Sequence, residues 1–392
     1  MAARINVLQV IPTLDEGGAE RTVVDISDAL IDAEYGSFVA TAGGRLTARL
    51  QSMGAQIFQL PVNSKNPLTI FQNINRLAEL AVDHGISIIH ARSRAPAWSA
   101  LFAARRAGCH FMTTHHGTFR DSGYVKSLYN SVMARGDVVI ANSNFIAQRI
   151  SQKYPNAAGH TLTIARGVDL AEFDRSNVDA TRIQAFRQRI KVDDDKRLVI
   201  LPGRVTPWKG QDVFVEAASR IQAQSLEEKV CFVCVGETEP NSDFGKSLTA
   251  KIKDLGLDDC IRFSGHMDDM PAAYAAAAVT VSASTEPEAF GRIAVEAQAM
   301  GCPIIATALG GSLETIIDGE TGHLISPNNP NALAAAITDC LAMSSAERDA
   351  MAAAARSNVV EHFSKQAMCE KTLAAYSALA AQKKKRADSQ SA

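Results

Sequence analysis

Glu288 and Glu296 stand eight residues apart, with Phe290-Gly291 between them and Gly301-Cys302-Pro303 behind. The spacing puts the first carboxylate in a turn and the second inside a helix whose mouth is Ala289-Phe290-Gly291. A helix start offers unpaired N–H groups and partial positive charge, which attract phosphate. Small residues there let a ligand come close to the backbone. Carboxylates accept hydrogen bonds from sugar hydroxyls. At about 1.5 Å per helical residue the pair spans roughly 12 Å. Phosphate flanked by two polyol-binding carboxylates describes a site for a nucleoside diphosphate-sugar. The plainer reading of Glu296 is a helix-surface residue. Ala294, Val295 and Ala297 argue against that, since a carboxylate buried among apolar neighbours needs partners.

Other motifs supply complementary groups. Gly203-Arg204-Val-Thr-Pro-Trp208-Lys209-Gly210 places two cations five residues apart on a loop before a helix, a spacing that can clamp a diphosphate and stabilise it as a leaving group. Asp15-Glu16-Gly17-Gly18 opens the first helix with a tight turn, without the GxGxxG spacing of a dinucleotide site. Thr114-His115-His116-Gly117 closes a buried strand. There His116 can hydrogen-bond a transferred sugar or stabilise charge near its anomeric carbon, while His115 points into structure. Gly236 and Gly265 end two further strands, where a base can lie against backbone. Gly310-Gly311 opens another helix and could face phosphate or sugar.

The elements that must position these groups are legible as alternating apolar runs and amphipathic stretches, the pattern of parallel sheets covered on both faces. Strands are predicted at 5–11, 37–41, 56–60, 86–90, 111–115, 138–142 and 161–164, with a first helix over 19–30. A second series follows at 198–201, 230–235, 261–263, 279–283, 303–307 and 322–325. The class is α/β, two Rossmann-like domains in tandem, with ligands at the carboxyl ends of the strands. The expected divisions are an N-terminal domain over 1–172, a charged linker over 173–195 and a C-terminal domain over 196–361. A C-terminal helix over 362–382 and a basic disordered tail over 383–392 complete the chain.

The 392 residues suit two domains, and a net charge of −2 gives no electrostatic reason for a nucleic acid partner. No apolar run is long enough to span a bilayer, and a strand pattern follows Met1-Ala-Ala directly, so no signal peptide is expected. The 7 cysteines are scattered. Cys231-Phe-Val-Cys234 has CxxC spacing but lies in a Val-rich run without a second pair, so buried reduced thiols, and a cytoplasmic setting, are the better reading. Asp193-Asp194-Asp195 reads as a solvated turn rather than a metal site. Lys383-Lys-Lys-Arg386 reads first as a solvated helix end; the sharper alternative is a weak peripheral contact with the anionic inner-membrane surface.

Together, Gly17-Gly18, His116-Gly117, Gly167-Val168-Asp169, Gly203-Arg204 with Lys209-Gly210, and Glu288 with Glu296 make the whole chain resemble the retaining glycosyltransferases of family 4, which have the GT-B fold. The resemblance implies two domains facing across a cleft and a C-terminal helix crossing back to the first. It implies that Arg204 and Lys209 bind the donor diphosphate and that Glu288 contacts the donor sugar with the backbone of Ala289, Phe290 and Gly291. Glu296 would hold the ribose hydroxyls, Gly17 and Gly18 would line the phosphate and acceptor side, and Gly203, Gly236 and Gly265 would line the donor site. His116 would sit near the anomeric centre, making His116, Arg204, Lys209 and Glu288 the catalytic group. No metal or other cofactor is implied; the donor is a substrate. The family often has Asn where this chain has Arg166, a difference expected to change local hydrogen bonding and leave catalysis intact. Arg92, Arg94 and Arg120 are candidates for an anionic acceptor, a glycan or lipid-linked glycan, as in bacterial enzymes that extend lipopolysaccharide core or related envelope glycans. Scattered surface charge is the plainer reading of these cations. A UDP-sugar donor and hexose transfer complete the expectation. The alternatives are a non-catalytic sugar-nucleotide-binding subunit and a GT-B epimerase or phosphorylase. A dinucleotide oxidoreductase is disfavoured by the missing GxGxxG.

Overall fold

The structure is a computed structural model that describes residues 4–15, 17–117, 123–223, 229–237 and 242–390, the side chains of 383–390 excepted. The chain forms two compact units, one of residues 1–166 with 365–392 and one of residues 167–364.

The first unit holds a seven-stranded parallel sheet. Its strands are β1 (Asn6–Val10), β2 (Gly36–Thr41), β3 (Gln56–Gln59), β4 (Ile88–Ala91), β5 (His110–His115), β6 (Val138–Ala141) and β7 (Thr161–Thr163), in the order β3-β2-β1-β4-β5-β6-β7. β2, β4 and β5 are buried along their whole length, as expected of strands covered on both faces. The order reverses between β1 and β4, where Val7 pairs with Ile88 and Val10 with Ala91. Carboxyl ends at such a reversal diverge and leave a crevice.

The second unit repeats the plan with six parallel strands: β8 (Arg197–Pro202), β9 (Val230–Val235), β10 (Ile261–Gly265), β11 (Ala277–Ser282), β12 (Ile304–Thr307) and β13 (His323–Ile325). Their order is β10-β9-β8-β11-β12-β13, so the reversal falls between β8 and β11. Val199, Leu201, Phe214, Phe232, Val279, Val281 and Ile305 fill one face of this sheet without solvent access to speak of. Each such side chain contributes about 1.5–3 kcal/mol of transfer free energy.

Two expected divisions need correction. Residues 173–195 are not a free linker: they carry the helix Ala180–Arg189 and are docked on the second unit. Phe173, Val178, Phe186 and Ile190 are buried, and Arg182 donates to both oxygens of Asp269 at 2.6 and 2.8 Å. Charge density disguised an anchored segment. The C-terminal helix expected over 362–382 is Lys365–Gln390, and so takes in residues 383–390.

That last helix belongs to the first unit. Met368, Cys369, Tyr376 and Leu379 pack on Val7, Ile26, Leu30, Ile88 and Met112. Tyr376 is fully buried and its hydroxyl meets His90 Nδ1 at 2.6 Å. Tyr376→Ala is expected to lower the unfolding free energy by about 3–5 kcal/mol through the cavity it leaves. Tyr376→Phe, which strands only His90, should lose about 1–3 kcal/mol. Urea unfolding curves check both, and wild-type midpoints in the two variants would contradict this packing role.

Candidate functional site

In the second unit the predicted residues gather at the carboxyl ends of β8 and β11. Lys209 ends a short 3-10 turn, Pro207–Lys209, that follows β8. Glu288 lies in the turn between β11 and the helix Arg292–Ala299. Lys209 Nζ donates to Glu288 Oε1 at 2.8 Å, with each side chain only 13% exposed. Ser284 Oγ donates to the same oxygen, and Lys209 Nζ stands 4.5 Å from the centre of the Trp208 ring, in cation–π range. An ammonium has three donors, so two remain for a ligand. Arg204 is exposed, and its guanidinium makes no hydrogen bond among the described residues. The two cations are therefore not an equivalent clamp: one is bound to a carboxylate and the other is open.

Close backbone approach explains two of the glycines. A Cβ at Gly210, where φ is +77°, would lie 1.9 Å from the carbonyl oxygen of Ala283, so only glycine lets the lysine turn rest against the end of β11. A Cβ at Gly311 would lie 2.4 Å from the carbonyl oxygen of Phe290. The Gly311 amide donates to the Glu288 carbonyl at 2.9 Å. Gly310-Gly311 thus supports the 288–290 turn. Gly203, Gly236 and Gly265 sit at the ends of β8, β9 and β10, with Gly236 and Gly265 joined by a backbone bridge. Phe290 is buried and stacks edge-on with Phe363, 5.8 Å between centroids, which fixes the turn that carries Ala289 and Gly291.

Glu296 is 7% exposed and both its oxygens are engaged. Arg292 Nη2 donates to Oε1 at 2.6 Å and the Tyr274 hydroxyl donates to Oε2 at 2.8 Å. Burial, then the adjacent carboxylate, pushes the Tyr274 phenol well above its ordinary pKa, so it stays a donor. The negative charge of Glu296 raises Arg292. Each carboxylate oxygen keeps a second lone pair for a ligand hydroxyl. Arg292 was readable as the i−4 neighbour of Glu296, and Ser284 stands equally near Glu288 in sequence; Tyr274, 22 residues from Glu296, carried no local signal.

The first unit brings Arg92, Arg94, His115, His116 and Gly117 together at the ends of β4 and β5. With Ser93, Thr114 and Met133 they line an open cavity of ≈ 140 Å³. Arg92 is 2% exposed and donates through Nε and Nη2 to Gln9 Oε1. His90 Nε2 meets Thr114 Oγ1 at 2.7 Å. Arg166 Nη2 donates to His116 Nδ1 at 2.9 Å. The departure at position 166 therefore reaches a residue of the candidate site. With Nδ1 accepting, a neutral His116 carries its proton on Nε2, which is buried and without a hydrogen-bond partner. Gly17 and Gly18 stand at the start of the helix Gly18–Asp32, which follows β1. Arg120 lies outside the described residues. Trp98 is structural, donating to the Tyr129 carbonyl at 3.1 Å. Among the described residues no His, Cys, Asp and Glu group could hold a metal ion. No described helix is long and apolar enough to cross a membrane. The thiols of Cys231 and Cys234 lie on buried β9 and burial pushes them up to about 11 and about 12.

Burial also lowers three histidines. His115 falls from 6.5 to about 4, while His90 and His116 go well below 6.5, with nearby arginines adding to the effect. All three are neutral when folded. Below about pH 6.5 the unfolded chain takes up protons that the folded chain does not. Their stabilisation is complete above that pH and is lost as pH falls toward the folded values. Unfolding free energy should fall between pH 6.5 and 4, by about 3 kcal/mol for His115 alone. Urea titrations across that range check this; a flat profile would count against the buried neutral histidines.

Comparison with known proteins places these features. The family model described as Glycosyl transferases group 1 matches residues 182–358, and that described as Glycosyltransferase Family 4 matches residues 16–172. A glycosyltransferase of Rickettsia africae ESF-5 is 33% identical, covers 96% of this chain and 98% of its own, and superposes with a TM-score of 0.88. HepE of Anabaena, solved with UDP and glucose, shares the fold at 23% identity and a TM-score of 0.80, with 96% and 100% of the two chains covered. A D-inositol 3-phosphate glycosyltransferase of Salinispora arenicola is 33% identical over 205 residues, 51% of this chain and 46% of its own length. The chain thus spans about half the length of the curated relatives it matches. With both halves matched by family models and a relative aligned along its whole length, the chain belongs to the group 1, family 4 glycosyltransferases of GT-B fold.

Proposed function

We propose that this chain transfers a hexose from a UDP-sugar to a glycan or lipid-linked glycan acceptor, with retention at the anomeric carbon and without a metal, in the synthesis of lipopolysaccharide or another envelope polysaccharide. The observation that carries the reading is the Lys209–Glu288 pair at the reversal point of the second sheet, with Glu296 eight residues on and Arg204 open beside it. A UDP donor is supported by HepE, which was solved with UDP and glucose and also with UDP-glucose. Envelope glycans rest on the family resemblance and on the cations that line the first-unit cavity.

In this reading the second unit binds the donor. Glu296 accepts the ribose hydroxyls, Glu288 accepts from the sugar, and the amides of Ala289, Phe290 and Gly291 meet phosphate at the helix mouth. As the glycosidic bond breaks, negative charge grows on the departing diphosphate. Arg204 and the two remaining Lys209 donors are then worth more than in the ground state, which lowers the barrier. A front-face path, in which the leaving phosphate helps take the acceptor proton, needs no carboxylate nucleophile. His116, fixed as an Nε2–H donor, hydrogen-bonds a sugar hydroxyl and is not the base. The first unit binds the acceptor through Arg92 and Arg94.

Lys209→Met should reduce kcat by about 10²–10³, the usual loss for one donor to a developing anion. Glu296→Gln should weaken UDP binding by roughly 1.5–3 kcal/mol while leaving Arg292 and Tyr274 in place. Calorimetric titration with UDP and steady-state release of UDP from UDP-hexoses check the two. NMR of the product distinguishes the chemistries: an anomer matching the donor supports retaining transfer. Free sugar phosphate or an epimerised donor would instead mark a phosphorylase or epimerase. Tight UDP binding with no turnover on any donor would mark a binding subunit.

A further inference from the structure

The two groups that hold Glu296 are themselves held by distant parts of the second unit. Glu296 Oε1 accepts from Arg292 Nη2 at 2.6 Å and Oε2 accepts from the Tyr274 hydroxyl at 2.8 Å, while the glutamate side chain is 9% exposed. Tyr274 lies on the helix Met270–Ala276 and is fully buried. Its phenol is a fixed donor, because burial and the carboxylate beside it keep the proton on. The carboxylate cannot turn away without leaving that buried O–H short of an acceptor, which is unfavourable.

This arrangement is braced by the segment that follows Gly167-Val168-Asp169. The Phe173 ring packs on the Tyr274 ring, 6.2 Å between centroids. Asp269 caps the helix of Tyr274 by accepting from the Ala272 amide at 3.1 Å, and Arg182, on the helix Ala180–Arg189, grips both oxygens of Asp269. Arg356 completes the brace. Its Nη1 donates at 2.6 Å to the carbonyl of Ala299, the last residue of the helix that carries Glu296, and at 3.4 Å to the carbonyl of Phe173. Its Nη2 donates to Asp174 at 2.8 Å. Helix, carboxylate, phenol, Phe173 and Arg356 thus form one closed loop of contacts within the second unit.

The acceptor positions left over have a definite shape. Each carboxylate oxygen keeps a second lone pair, and Arg292 on one side and Tyr274 on the other set the plane of the group. Two oxygens on one carbon, each with one acceptor position, match two hydroxyls on adjacent carbons. A single hydroxyl can be followed by a carboxylate that is free to turn; two at once need it fixed. A site built for both hydroxyls discriminates against a sugar that lacks one. We infer that Tyr274 is a positioning residue which, with Arg292, sets Glu296 to read both ribose hydroxyls and so makes the second unit selective for ribonucleoside over 2′-deoxyribonucleoside diphosphates. The inference rests on the reading of Glu296 as the residue that accepts from the ribose.

The test is calorimetric titration of the full chain with UDP and GDP and with their 2′-deoxyribose counterparts, in the wild type, Tyr274→Phe and Lys209→Met. The wild type should favour the ribose form of the nucleotide it binds by about tenfold or more. Tyr274→Phe keeps the ring on Phe173 and removes only the hydroxyl. It should weaken the ribose form about tenfold and leave the 2′-deoxy form within about twofold, so that the preference collapses. KM for the sugar nucleotide should rise while kcat is kept. Lys209→Met, which acts on phosphate, should weaken both forms alike and keep the preference. Should Tyr274→Phe not fold, Arg292→Met is expected to give the same collapse from the other oxygen. A Tyr274→Phe chain that keeps the preference, or that weakens both forms equally as a loosened fold would, overturns the inference while leaving the donor site intact. A wild type that binds ribose and 2′-deoxyribose forms equally does the same. A wild type that binds no nucleoside diphosphate overturns the donor reading, and the inference falls with it.

Discussion

The Lys209–Glu288 ion pair sets the terms for the rest of the second unit. Two charges drawn 2.8 Å apart and mostly out of water repay their desolvation only when other groups hold them in place. Here the holding is done by Ser284, by the Trp208 ring, and by two glycines whose missing side chains let the loops close on one another. The parallel sheet supplies the crevice, because its strand order reverses between β8 and β11. The pair leaves two ammonium donors and the open Arg204 facing any ligand that enters there. That is a preorganised positive field with little left to reorganise when charge develops on a leaving group.

The first unit solves a different electrostatic problem with the same architecture. Its cavity lies at the ends of β4 and β5, and its buried cation is held by a neutral amide, with Asp25 as the carboxylate whose charge acts on it. Gln9, Thr114, His90 and Tyr376 form a neutral chain that orients Arg92 without cancelling its charge. Tyr376 comes from the last helix, so a segment far along the chain shapes this site through its hydroxyl as well as through packing.

Much of this was legible in the sequence where the signal is local. The thirteen described strands were legible from short apolar runs, most clearly where a strand is buried on both faces and apolar throughout, as Val230–Val235 is. Glu288 and Glu296 stood out because turn and helix are neighbours in sequence. What could not be read depends on contacts between distant segments. Tyr274, which holds Glu296, comes from another element, 22 residues away. The burial of Arg92 is unreadable because arginine is ordinarily a surface residue. Residues 173–195 looked like a linker because aspartates and arginines outnumber the apolar residues there. Four of those apolar residues, Phe173, Val178, Phe186 and Ile190, nevertheless anchor the segment. Arg166 was expected to change only local hydrogen bonding and leave catalysis intact, but the fold brings it to His116.

The central claim is that the second unit binds a nucleoside diphosphate through its cations and carboxylates and needs no metal to do so. Thermal unfolding with UDP, GDP, ADP, CMP and NAD, each with chelator present, tests it most directly. One diphosphate, UDP by this account, should stabilise the chain by about 3–4 kcal/mol at saturating concentration despite the chelator. Stabilisation by NAD alone, or by a diphosphate only after metal is added back, would contradict the account.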